Sequence, residues 1–354
     1  MFEERLVQTT LPLWDEDRDT RELLRSDWKA TRDDYKPPVL IPKRTGGFRE
    51  ILEPKPYLKT LQKNIVSTLA ALKYGPSPFA HGFVNKRNRR TNAVPHIGHD
   101  HLVKVDIENF FGSVAPNLVM IALNGLDHPD WLDGVVRRAC FLDDGLPQGA
   151  PTSPFLSNIA VRCMDYRIGA LAQKFRRDPM EGNRGYKHPR LEAVAYTRYA
   201  DDMTFSSNWD GLTQILFPLE KILDDYGFAM KHKKTKVFKA PQRFETCGVI
   251  VSKTKVNAKR RDRRYWRGRL HKMSCDIRSG RTPPGFFLRK DGTSGRLGPK
   301  RLLQIQGSIA AIADVSQQDK EKLFESFKEL KELCVSREAS RCETTSPSSS
   351  SERS

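Results

Sequence analysis

Paired cysteines are missing from this sequence of 354 residues. Its six cysteines (Cys140, Cys163, Cys247, Cys275, Cys334, Cys342) are scattered and none forms a C-x-x-C unit. That argues against a zinc knuckle or a disulfide frame, and reduced thiols are expected. Long apolar runs are missing too. None reaches the ~20 residues a helix needs to cross a bilayer. The opening MFEERLVQTTLPLWDEDRD has no apolar signal core, and no basic amphipathic helix adjoins an apolar anchor. A cytoplasmic protein with no membrane partner is expected. Internal repeats are absent. Acid is scarce: 43 Asp and Glu against 61 Lys and Arg leave a net charge of +18. That excess attracts polyanions, and nucleic acid is the expected partner.

What is there suffices for one large core or a few subdomains, with 38% of residues apolar. Residues 1–36 read as helices. In 37–56 two short apolar runs flank Thr45-Gly46-Gly47, a hairpin signal. Helical spacing follows at Leu58, Leu61, Ile65 and Leu69. LVKVDI (102–107) reads as a strand, 155–175 as helix, 176–192 as an exposed loop and 194–207 as a strand pair. Residues 212–226 return to helical spacing, and 244–257 form a small β unit. A basic helix is expected over 258–277, a Gly- and Pro-rich loop over 279–299 and one or two amphipathic helices over 301–334. The Ser-rich end, 336–354, is expected to be disordered.

The chemistry centres on acids. Tyr199-Ala200-Asp201-Asp202 sits between two β-rich runs. Two unit charges about 4 Å apart repel by roughly 4 kcal/mol at an effective dielectric near 20, and a divalent cation reverses that sign. Strand alternation points the two acids to opposite sides, which makes Asp201 the expected main ligand. Asp106 ends the LVKVD strand, and adjacent antiparallel strands would bring it to Asp201. Such acids, with the Ile107 carbonyl, suit two Mg²⁺ ions, or Mn²⁺ in their place.

Two further segments carry a signal. In LPQGAPTSP, prolines stiffen a loop in which Gly149 and Ala150 let the backbone approach a ligand closely and Gln148 is placed to hydrogen-bond a nucleotide. Residues 253–272 hold ten Lys or Arg and one acid, interleaved with Tyr265 and Trp266. Cations beside stacking rings make a nucleic-acid surface, expected to use Arg260, Arg261, Arg263, Arg264, Arg267, Arg269 and Lys272 with the two aromatics.

YADD resembles the catalytic box of reverse transcriptases, LVKVDIENFFGSV their first aspartate box and LPQGAPTSPFLSN their nucleotide-pocket box, in the family order. The resemblance covers about residues 37–335. It implies an α/β (α+β) right-hand polymerase. Fingers would span 37–105 with part of 112–160, and an antiparallel palm backed by helices 106–250. A helical thumb would span 251–335, with 1–36 an N-terminal helical extension. Asp106, Asp201 and Asp202 become the expected catalytic residues. Phe111 resembles the steric gate against a ribose 2′-hydroxyl, Lys43 and Arg49 the basic finger residues on the triphosphate, and Lys234 a lysine near the leaving pyrophosphate. N-A-x-x-H (Asn92 to His96), with HGFVNKRNRRTNA before it, resembles a retron-specific segment expected to bind nucleic acid. Retron enzymes commonly carry V-T-G where this chain has Thr246-Cys247-Gly248. A retron-type enzyme implies dNTP substrates, a cognate structured non-coding RNA, priming from a guanosine 2′-hydroxyl, a branched RNA–DNA product, and a separate effector protein in defence against phage. A group II intron-like or other defence-associated enzyme, or a catalytically idle RNA-binding scaffold, are the alternatives.

Overall fold

The computed structural model describes residues 28–43, 46–72, 75–124, 128, 130–175, 194–279, 281, 286–288, 294–296 and 299–343. The chain divides into two units, Met1–Cys247 and Gly248–Ser354.

In the first unit β1 (Val39–Pro42) and β2 (Phe48–Ile51) form the expected hairpin, with Val39 opposite Ile51. Its turn runs through Gly46 and Gly47 at φ +90° and +75°, a backbone glycine adopts freely. α1 (Pro56–Ala71) buries Leu58, Leu61, Ile65 and Leu69, one stripe of a helix that begins on proline. α2 (Arg89–Ala93) is capped by the Asn88 side chain, which accepts from the Arg90 and Thr91 amides. β3 (His101–Asp106) follows, then α3 (Pro116–Leu123), α4 (Asp130–Ala139), α5 (Ser153–Ala160) and α6 (Arg162–Lys174). β4 (Ala195–Tyr199) and β5 (Asp202–Ser207) flank the acidic turn. α7 (Leu216–Asp225) ends on Gly227 at φ +75°, with the Phe228 amide on the Leu223 carbonyl and the Gly227 amide on Asp224, a Schellman closure. β6 (Lys236–Lys239) and β7 (Phe244–Thr246) complete the unit.

The central sheet has the order β4-β5-β3-β6, antiparallel throughout. Period-two alternation gives it two unlike faces. Val103, Val105, Tyr196, Met203 and Phe205 enter the main hydrophobic core beside Leu156, Met164, Ile168 and Leu219 from the helices. Tyr196 stacks on Phe205 at 4.9 Å between centroids. Each large side chain so buried contributes about 1.5–3 kcal/mol. The opposite face carries Lys104, Asp106, Thr197, Asp202, Thr204 and Ser206, and the site grows from it.

In the second unit β8 (Val249–Val251) pairs antiparallel with β9 (Val256–Ala258), and α8 (Arg260–Arg278) follows. β10 (Phe286–Leu288) pairs with β11 (Ser294–Arg296), a hairpin within the segment expected to be a loop. Strand pairing satisfies backbone groups even where Gly and Pro crowd the flanks. α9 (Pro299–Ala313) and α8 both pack on α10 (Gln317–Glu343). α10 continues into the stretch expected to be disordered from 336. Extending an existing helix needs no new nucleus, and Arg, Glu and Ala there favour propagation. The helices expected over 1–27, the loop expected over 176–192 and the tail 344–354 lie outside the described residues. Within 28–36 the chain makes only a short 3-10 turn, Arg32–Asp34.

A candidate active site on the polar face of the central sheet

Asp106 ends β3 and Asp202 begins β5, and the strand register sets the two directly opposite each other. Asp201 lies one residue earlier, in the turn after Ala200, whose φ is +57°. The Ile107 amide donates to the Asp201 carbonyl at 3.0 Å, which ties the turn to the end of β3. Asp106 and Asp201 therefore stand together as expected, although the residue in register with Asp106 is Asp202.

Lysines answer two of the three acids. Lys234 donates to both Asp106 carboxylate oxygens, at 2.8 and 3.0 Å. Lys104 lies 3.0 Å from the Asp202 carboxylate, and the Cys247 thiol faces the same oxygen at 3.8 Å. Burial, then Asp202 and Asp106, hold the Asp201 carboxyl above its ordinary pKa despite Lys234 nearby. Burial and then Asp202 push the Cys247 thiol up to about 12. A half-buried acid whose charge is disfavoured by two neighbouring acids is a place a divalent cation would relieve, and carboxylate oxygens suit Mg²⁺. Among the described residues no three His, Cys, Asp or Glu side chains gather as a metal cage. Asp202, also expected as a ligand, faces Lys104 as Asp106 faces Lys234. The expected donor set is Asp106, Asp201 and Asp202 with the Ile107 carbonyl, and its carboxylates lie at the joined ends of β3 and β5. Mg²⁺ commonly takes one or two carboxylates and leaves its other positions to water and substrate phosphate.

The loop 146–151 is knit to this corner. The Leu146 amide donates to the Phe111 carbonyl at 2.9 Å, and the Leu52 amide to the Gln148 carbonyl at 2.7 Å. The turn after β3, the end of β2 and the loop meet there. Phe111 packs partly exposed against Phe83 and Phe110, while Phe110 is buried in the core. Gly149 has φ +116°, and a Cβ on it would lie 2.6 Å from the Leu52 carbonyl oxygen. Gly149, expected to let the backbone approach a ligand, packs closely on the Leu52 carbonyl. Lys43 and Arg49 are exposed on the hairpin.

Asn92 and His96, expected on the nucleic acid, are instead fully buried. His96 bonds Thr197 through Nε2 at 2.8 Å and Ser206 through Nδ1 at 2.6 Å. The Asn92 amide donates to Thr246 Oγ1 at 3.3 Å, which in turn bonds Thr204 at 2.7 Å. These hydroxyls line a sheet face that needs polar partners once covered, and α2 with the turn after it supplies them. The N-A-x-x-H segment and the departing Thr246-Cys247 pair both back the sheet that carries Asp202.

In the second unit α8 sorts its charges by helical spacing. Arg260, Arg261, Arg264, Tyr265 and Lys272 are exposed, and Trp266 packs edge-on against Tyr265 at 5.4 Å. Arg263 and Arg267 are tied to the buried Asp319 of α10, Arg263 at 3.0 Å. Both arginines, expected on nucleic acid, thus also serve to pair a buried acid of α10. Arg269 is half-buried.

Several site residues went unseen in the sequence: Lys104, Gly82, Asp165 and Arg198. Lys104 had a local signal, two residues before Asp106 and hence on its face. Arg198 had one also, a charge inside an otherwise apolar strand, but nothing local named its partner.

Two acids at the joined ends of antiparallel strands, beside a stiff glycine-bearing loop, match what was expected of nucleotidyl transfer. The chain belongs to the reverse transcriptase (RNA-dependent DNA polymerase) family, whose model matches residues 41–251. The Retron Ec86 reverse transcriptase of Escherichia coli is 31% identical over 258 residues, 70% of this chain and 74% of its own length. The Retron Mx65 reverse transcriptase of Myxococcus xanthus is 31% identical over 250 residues, 65% of this chain and 54% of that protein. The chain thus spans about half the length of the latter, and within the family it is of the retron type. Among solved structures, telomerase from Candida albicans is similar at a TM-score of 0.47 and 13% identity, over 89% of this chain and 63% of that one. That likeness is too distant to bear on function.

Proposed function

We propose that the chain extends a primer hydroxyl with dNTPs on a structured non-coding RNA, with divalent ions held by Asp106, Asp201, Asp202 and the Ile107 carbonyl. The observation that carries this is the meeting of Asp106 with the 201–202 pair on neighbouring strands. Mg²⁺, or Mn²⁺ in its place, would supply activation of the primer hydroxyl and charge stabilisation at the leaving pyrophosphate. Lys234, already against Asp106, would stand near the leaving pyrophosphate. Lys43 and Arg49 on the exposed hairpin suit the triphosphate. Phe111, tied by its backbone to the loop bearing Gln148 and Gly149, would exclude a ribose 2′-hydroxyl. The outward stripe of α8 suits nucleic-acid phosphates, with Tyr265 for stacking. Residues 37–105 with part of 112–160 would serve as fingers, 106–250 as palm and 251–335 as thumb.

The likeness to retron reverse transcriptases suggests a finer proposal: priming from a guanosine 2′-hydroxyl, a branched RNA–DNA product, and service beside a separate effector in anti-phage defence. RNA-templated dNTP incorporation tests the core of it. Asp106→Asn and Asp201→Asn are each expected to abolish incorporation, and full activity in either overturns the site assignment. Nucleic acid copurified with the protein should carry a 2′–5′ branch, whereas linear cDNA alone would exclude the retron product.

A further inference from the structure

Arg198 is fully buried on the apolar side of β4, three residues before Asp201. Its Nε and Nη2 donate to the two oxygens of Asp165 in α6, each at 2.8 Å. Nη2 also reaches Asn158 Oδ1 of α5 at 3.1 Å, and Nη1 donates to the Ala200 carbonyl at 3.0 Å. Asp165 accepts in addition from Tyr196 at 2.8 Å and from Ser77. Asn158 donates onward to the Gly82 carbonyl at 2.9 Å. Gly82 closes the turn from its other side, where a Cβ would lie 2.6 Å from the Ala200 nitrogen.

A buried ion pair is seldom worth more than an apolar pair of the same volume, so stability alone does not account for this one. The arrangement does account for Ala200. A non-glycine residue at φ +57° costs about 1–2 kcal/mol and persists only where its surroundings over-determine it. Arg198 holds its carbonyl, Gly82 packs its nitrogen, and the next residue is Asp201. We propose that Arg198 is a positioning residue: anchored on Asp165, it fixes the left-handed Ala200 and so sets where the Asp201 carboxylate stands for the metal. This rests on the proposed function, since it presumes that Asp201 binds the metal.

Arg198→Lys keeps the charge for Asp165, but a single ammonium cannot span from Asp165 to the Ala200 carbonyl. Gly82→Ala disturbs the same turn from the opposite side and leaves the ion pair whole. Two readouts apply to each: Mn²⁺ binding followed by electron paramagnetic resonance, and the Mg²⁺ titration of dNTP incorporation. Both variants are expected to need about tenfold more metal at both midpoints, with kcat down by up to roughly 10²-fold, the scale of a misplaced group. Arg198→Lys that loses heat stability yet keeps wild-type midpoints makes the arginine a packing brace and overturns the proposal. If that variant does not fold, unchanged midpoints in Gly82→Ala overturn it equally. A wild-type chain that binds Mn²⁺ but never polymerises refutes the proposed function, and the Mn²⁺ midpoints still decide this point.

Discussion

Gly149→Ala tests whether the loop 146–151 is built around one tight backbone contact. At φ +116° an alanine adopts a backbone that costs an L-residue about 1–2 kcal/mol. Its Cβ would stand 2.6 Å from the Leu52 carbonyl oxygen and 3.0 Å from Ile51 Cγ2. A backbone oxygen cannot rotate aside, so overpacking adds about 1–3 kcal/mol. The expected loss is therefore about 2–5 kcal/mol, against the ~5–15 kcal/mol that holds a folded domain together. In a unit of this size each kcal/mol lowers Tm by roughly 2–4 °C. Gly227→Ala is the control, with φ +75° and nothing within 4 Å of its Cβ, so only the backbone cost of about 1–2 kcal/mol applies. Function should respond as well. The Leu52 amide is held by the Gln148 carbonyl at 2.7 Å, so moving the loop moves the end of β2 and with it Arg49. KM for dNTPs is expected to rise in Gly149→Ala and to stay unchanged in Gly227→Ala. Thermal unfolding and single-nucleotide extension measure the two effects. Equal stability of the two variants, with KM unmoved in both, refutes the reasoning.

His96 offers a pH test. Burial pushes its pKa from 6.5 down to about 3, so the folded protein keeps it neutral while the unfolded chain protonates it. Its contribution is whole above pH 6.5 and drains as pH falls towards 3, by up to about 1.4 kcal/mol per pH unit. In His96→Gln the slope of unfolding free energy between pH 6 and about 4 should flatten by close to one proton, and an unaltered slope counts against the buried neutral imidazole. Phe83 is 54% exposed at φ +60°. Phe83→Gly should relieve that backbone and raise stability by up to about 1 kcal/mol in urea unfolding, and a loss of that size would contradict it. Neutralising Arg260, Arg261 or Arg264 should each lower the log–log salt slope of RNA binding by about 0.7–0.9. Arg263→Gln should instead lower Tm, because it removes a partner of the buried Asp319. Equal salt effects from all four would refute the sorting of α8 by face.

Short strings were legible in the sequence because each carries its chemistry within a few neighbouring residues. Asp106, the 201–202 pair, the stiff 146–151 loop and the basic run on α8 needed only local spacing, and the period of each segment already separated strands from helices. Tertiary structure decided what spacing cannot express. Which acid faces Asp106 depends on strand register, and register is set by pairs a hundred positions apart. Asn92 and His96 were expected on nucleic acid from the retron resemblance, yet the sheet's hydroxyl-bearing face needed covering and drew them inward. Arg198 went unread as a charge within a β-rich run, and only the fold brought Asp165 to it. The chain by itself thus marked the acids proposed to do chemistry, because their signals are local, while long-range packing determined which carboxylate each lysine faces and which acid pairs the buried arginine.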